Sequence, residues 1–187
     1  MGYDAQGWNL GLNLGHRHKV EAAAIDLLDR MSDGGRHKVS IVGWSLGGTL
    51  ARLIAARKPE LVRSVISLGS PISGSAGATN ASFIYRGLNR GQSGERTLRR
   101  RVAQDLPMPS TSIYSRSDDV VAWRISMLPE ANQAENIEVH GSHLGLGANP
   151  AVLYAIADRL AQPQRAWKSF SRAGIGAIVY PDPTRPG

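Results

Sequence analysis

The run Val39-Ser40-Ile41-Val42-Gly43-Trp44-Ser45-Leu46-Gly47-Gly48 constrains the fold of this chain more than any other stretch. Val39, Ile41 and Val42 are β-branched and predict a buried strand over Val39–Trp44. Beyond Ser45, a helix is predicted over Leu46–Lys58. Leu50, Leu53 and Ile54 lie on one face of it, and Pro59 lies just past its end. A strand that passes straight into a helix through Gly-x-Ser-x-Gly must turn sharply at the serine, which pushes the hydroxyl out of the backbone. Where strand and helix converge, a Cβ at position 43 or 47 is expected to clash, so glycine is expected at both. The Leu46 N–H opens the helix and is a candidate donor to a developing oxyanion. Taken alone, Gly-x-Ser-x-Gly reads equally well as a turn that closes a strand. The strand before it and the helix after it favour a reactive serine.

The remaining elements follow the same alternation. Val20–Met31 carries apolar residues at helical spacing and is stopped by Ser32-Asp33-Gly34-Gly35. Val62–Leu68 is a second strand, closed by Gly69-Ser70-Pro71, and Thr111–Ser115 and Asn136–His140 are two more. Pro150–Ala161 is an amphipathic helix with proline at its start. Residues 2–15 read as a short extended segment that runs into a loop. Strands alternating with helices call for an α/β fold with a mostly parallel sheet flanked by helices. The 187 residues fit a single domain, 1–187. Two parts of it stand out. Residues 73–109, rich in glycine, serine, asparagine and arginine, read as an excursion in which Glu95–Asp105 forms a basic helix. Residues 163–187 read as a tail anchored by Trp167, Phe170 and Tyr180. There is no internal repeat.

Composition narrows the chemistry. The chain has no cysteine, which excludes disulfides, a thiolate nucleophile and a cysteine-based zinc site. Hydrophobic residues make up 42%, yet no run approaches the ~18 apolar residues of a membrane span. Met1-Gly2-Tyr3-Asp4 lacks the basic and apolar regions of a signal peptide, so the chain as written is expected in the cytoplasm. The net charge is +7, and residues 84–124 carry +4 of it, eight arginines against Glu95, Asp105, Asp118 and Asp119. Only Tyr85, Tyr114 and Trp123 interleave there, too few for a base-stacking surface, and no nucleic-acid partner is expected. The stretch reads first as a solvated basic excursion, and second as a weak contact for anionic surfaces or acidic substrates.

A serine hydroxyl becomes a nucleophile when a base takes its proton and a carboxylate orients that base. In a parallel sheet, functional loops gather at the carboxyl ends of the strands. Thr111–Ser115 leads to Asp118, and Asn136–His140 leads to Gly141-Ser142-His143. Asp118 is preferred as the orienting acid over its neighbour Asp119, with a turn-forming or capping role as the alternative. His143, in a glycine-rich loop where its ring can swing, is preferred as the base over His140 within the strand. His16, His18 and His37 sit in polar segments and are expected to be exposed. No carboxylate pattern supports a metal on His16-x-His18.

Together these pieces resemble the bacterial lipase/esterase branch of the α/β-hydrolase superfamily. The resemblance rests on GWNLGLN (7–13), VSIVGWSLGGTLAR (39–52), VRSVISLGSP (62–71), SIYSRSDDVV (112–121) and GSHLGLGANPAV (141–152), in that order along the chain. It implies Ser45 as nucleophile, His143 as base, Asp118 as orienting acid and the Leu46 N–H as an oxyanion donor. No metal or organic cofactor is implied, and the substrate is a small-molecule or lipid ester. Residues 73–109 fall where the family places its cap. An acyltransferase would use the same residues, and the rival of another class is a hydrolase-like binding module. The chain departs from the pattern in two places. Such relatives have glycine where Asp119 stands. They also carry an earlier strand with a His-Gly or Pro-Gly loop that supplies a second oxyanion N–H, and nothing before Ser45 matches it. Residues 2–13 resemble the strand that follows that loop. The expectation is therefore an N-terminally truncated sheet with a gap beside Val39–Trp44, filled by the segment around Trp8 or by another chain.

Overall fold

The computed structural model describes residues 3–8, 18–73 and 100–182, without the side chains of His18 and Lys19. Four strands form one parallel sheet in the order of the chain: β1 (Val39–Trp44), β2 (Val62–Leu68), β3 (Ser110–Tyr114) and β4 (Ala134–Glu138). Helices α1 (His18–Met31) and α2 (Leu46–Arg57) flank β1 and β2, followed by the short α3 (Trp123–Ser126). The His143 loop runs through a 3-10 turn at Leu144–Ala148 into α4 (Pro150–Ala161), and α5 (Gly176–Val179) lies near the C-terminus.

Alternation along β2 builds a layer on each face of the sheet. Val65 packs in a cluster with Ala24 and Leu28 of α1 and Leu50, Ile54 and Ala55 of α2. Its neighbours Ile66 and Leu68 pack instead with Ile113, Ile137, Val152 and Ala155. Register follows from this packing, with Val42 opposite Ile66, Ile66 opposite Thr111 and Ile113 opposite Ile137. No helix among the described residues is long and apolar enough to cross a membrane.

β1 is less buried than its β-branched residues predict, because it is the edge strand of the described sheet. Val42 and Trp44 remain 43% and 41% exposed. Residues 3–8 form no strand beside it. Trp8 instead packs as a side chain against the cluster that contains Ile41 and Leu50.

β4 begins and ends two residues earlier than predicted, which leaves His140 outside the strand and exposed. Its carboxylates look unsuited to a strand, but each has partners. Glu135 accepts from Thr111 Oγ1, Arg159 and the Phe170 N–H, and Glu138 accepts from Tyr114 Oη and Arg116.

Most of the predicted excursion, residues 74–99, lies outside the described residues, as does the first half of the basic helix predicted over Glu95–Asp105. Residues 100–103 are helical, and Val102, Leu106 and Met108 are buried. Arg52 of α2, 1% exposed, ties this return to the body. It donates from Nε to the Val102 carbonyl and from a terminal nitrogen to that of Gln104, each at 2.6 Å. Burial pushes its pKa down to about 10 against the opposing pull of Asp105, so the guanidinium stays charged at neutral pH. Of the three predicted anchors of the tail, Phe170 and Tyr180 pack into the core beside β4 and Trp167 is not part of that cluster. The Phe170 and Tyr180 rings meet edge to face at 4.7 Å, and Tyr180 Oη donates to the Ala151 carbonyl.

Candidate active site

Ser45 stands where β1 becomes α2, with φ 54° and ψ −126°. A positive φ is uncommon for a residue with a Cβ and marks a backbone held in place by its surroundings. Two contacts hold it. The Ser45 N–H donates to the Leu68 carbonyl at 2.8 Å, and the Ser45 carbonyl accepts from Gly48 N. Leu46 is the first residue of α2, so its N–H has no intrahelical acceptor.

The tightness of this turn falls on different glycines than the sequence suggests. A Cβ on Gly43 would lie 2.4 Å from the Gly47 carbonyl carbon, and one on Gly48 would lie 2.1 Å from Ser70 Oγ. A Cβ on Gly47 would meet nothing within 4 Å, so the expected clash at that position is corrected. Gly47 turns away from the strand on its helix, and Gly48 faces it.

At the same end of the sheet, Asp118 Oδ2 lies 2.7 Å from His143 Nδ1. Both side chains are nearly sealed from solvent, 1% and 5% exposed. The other oxygen of Asp118 accepts from the N–H groups of Val120 (2.9 Å) and Val121 (2.7 Å), which fixes the carboxylate plane and turns Oδ2 toward the imidazole. Asp119 is exposed. The structure therefore brings Asp118 and His143 together and leaves Asp119 and His140 outside the pair.

Trp44 links this pair to the serine turn. Its ring lies 5.4 Å from that of His143, and its Nε1 donates to the His143 carbonyl at 3.1 Å. Gly69 presses on the pair from just past the end of β2. Its φ is +50°, and a Cβ there would sit 2.8 Å from Asp118 Oδ2 and 3.2 Å from His143 Nδ1. Asn149 secures the loop from behind, donating to the His140 carbonyl and capping α4 at the Ala151 N–H. Sequence reasoning missed these three supports. The only available signals were a tryptophan inside the motif, a glycine at a strand end and an asparagine before Pro150.

A groove of about 480 Å3 opens beside Ser45, walled by Trp8, Ile41, Trp44, Leu46, Leu50 and Ile54. Apart from the serine, its lining is apolar or backbone.

Residues 22–100 match the family model of the alpha/beta hydrolase fold. The chain has the α/β-hydrolase fold. Solved structures share this fold. BpoC of Mycobacterium tuberculosis H37Rv, a candidate non-heme bromoperoxidase, aligns at TM-score 0.57 and 15% identity over 81% of this chain and 75% of its own. An alpha/beta superfamily hydrolase from Oenococcus oeni PSU-1 aligns at 0.56 and 14% identity over 76% and 72% of the two chains. A hydrolase from Pseudomonas aeruginosa PA01 aligns at 0.53 and 16% identity over 77% and 71%. At such identities the likeness is one of fold. No curated protein sequence matches the chain.

Proposed function

We propose that this chain is a serine hydrolase of carboxylic esters, of the lipase/esterase kind, that works through an acyl-enzyme on Ser45. The observation that carries the reading is the dry Asp118–His143 hydrogen bond at the end of the sheet where Ser45 holds its positive φ. Ser45 attacks the acyl carbonyl, and His143 takes its proton and passes it to the leaving alcohol. Asp118, fixed by the Val120 and Val121 N–H groups, holds the imidazole in the required tautomer and stabilises it when charged. The Leu46 N–H faces charge that develops on the carbonyl oxygen, where one such donor is worth about 3 kcal/mol. Water activated by His143 then releases the acid. The apolar groove suits the hydrocarbon part of an ester, which favours a small-molecule or lipid ester over a polar substrate. An acyltransferase would differ only in taking an alcohol in place of water.

The test is covalent labelling with a fluorophosphonate, read by intact mass, with Ser45→Ala as control. A single adduct that disappears in the variant is the expected result, followed by turnover of p-nitrophenyl esters. A folded protein that takes up no label would overturn the enzyme reading and favour a binding module.

A further inference from the structure

A second groove, of about 350 Å3, lies at the opposite end of the sheet. It opens at the amino ends of the strands, where Lys38 precedes β1, Arg63 is the second residue of β2, Pro109 precedes β3 and Gln133 precedes β4. Its far wall is the turn after α4, with Arg165 and Trp167. Strands of this length, at about 3.3 Å per residue, put it about 20 Å from the Ser45 end.

Two independent features mark this groove. The first is charge. Lys38, Arg63, Arg159 and Arg165 line it, and no carboxylate does among the described residues. Arg159 is neutralised by Glu135 and Asp158. Arg63 is held by the carbonyl oxygens of Leu160 and Gln162, which fix the guanidinium and leave its charge uncompensated. Lys38 and Arg165 have no ion pair among the described residues.

The second feature is backbone strain. Only four described non-glycine residues have positive φ: Asp33, Ser45, Gln133 and Arg165. Two of the four line this groove. Such conformations persist where the surroundings over-determine them, and they cluster at ligand sites.

We propose that this groove binds an organic phosphate. Its phosphate sits among Lys38, Arg63 and Arg165, its apolar part lies against Pro107 and Met108, and the Trp167 ring lines the same groove. Three uncompensated cations exceed the charge of a single carboxylate, whereas a phosphate monoester brings nearly two negative charges and three strong acceptor oxygens. The volume lies in the range of small-molecule sites. The site shares no residue with the acyl chemistry proposed above and stands or falls independently of it.

The test is a titration of the isotopically labelled full chain with phenyl phosphate, following the indole N–H resonances, that of Trp167 assigned with Trp167→Phe. The expected result is a saturable shift of the Trp167 signal with Kd of about 1 mM or tighter, while the Trp44 signal stays in place. In the double variant Lys38→Gln/Arg165→Gly, glycine relieves the left-handed backbone at 165, so the fold is kept while two charges are removed. Affinity is expected to fall at least about tenfold there, and benzoate is expected to bind wild type more weakly than phenyl phosphate does. A stationary Trp167 signal, or unchanged affinity in the double variant, would overturn the site. Equal binding of benzoate would overturn the phosphate assignment.

Discussion

At Gly43 a methyl group would meet the backbone of Gly47 and Gly48 at 2.4–2.5 Å, and backbone cannot step aside as a side chain can. Gly43→Ala is therefore expected to cost about 3 kcal/mol, the upper part of the usual overpacking range. At Gly47 the added methyl meets nothing and the residue is helical, so Gly47→Ala is expected to be neutral or to stabilise by up to about 1 kcal/mol. Thermal melts of the two variants check this, and equal losses would count against the geometry of the turn. The motif named the glycines but not which of them the strand needs. That depends on which side of α2 faces β1, and a helix turning about 100° per residue separates Gly47 from Gly48. A second test at this scale is Asp118→Asn. The amide oxygen would still accept from Val120 and Val121, which turns the NH2 group toward His143 Nδ1 and enforces the wrong tautomer. Ester turnover is expected to fall about 10⁴-fold with the melting temperature nearly unchanged. Turnover within a few-fold of wild type would remove Asp118 from the mechanism.

Whether an element could be located from the sequence depended on how it reports its own packing. β2 and α4 keep their predicted bounds because an apolar run and a proline start both show in sequence. β4 was misplaced by two residues because its carboxylates are satisfied by distant partners such as Arg159 and Tyr114, which no local pattern reveals. The same tertiary pairing explains why Ser45, Asp118 and His143 could be proposed from strand ends, while Trp44, Gly69 and Asn149 could not. The Tyr114–Glu138 contact also makes a pH prediction. Burial, and then the neighbouring Glu138 carboxylate, push the Tyr114 phenol up to about 12. The folded chain thus keeps a proton that an unfolded chain, with its phenol near 10, has already released. The stability this group contributes is present below about pH 10 and is lost as pH rises toward 12. Wild type is expected to lose melting temperature more steeply than Tyr114→Phe across that interval. Parallel curves would show that the phenol is not perturbed.

At the scale of the whole molecule, the described residues cover the two flanks of the sheet unequally. On the β4 side, the C-terminal segment closes the fold with Phe170 and Tyr180 and the Tyr180–Ala151 hydrogen bond, and Glu135 ties β4 to α4 and the tail. On the β1 side, the described residues offer only the Trp8 side chain, and Val42 and Trp44 stay open. An edge strand leaves one row of backbone groups to solvent, and local opening there costs less than global unfolding. Native-state hydrogen exchange is therefore expected to rank the strands. Amides of β2 and β3, each paired on both sides, should exchange only with global unfolding. The β1 amides that point away from β2 should exchange far faster, while those bonded to β2 fall between. Because Ser45 follows β1 directly, this flank sets how firmly the serine turn is held. β1 amides as slow as those of β2 would mean that a further strand covers this edge.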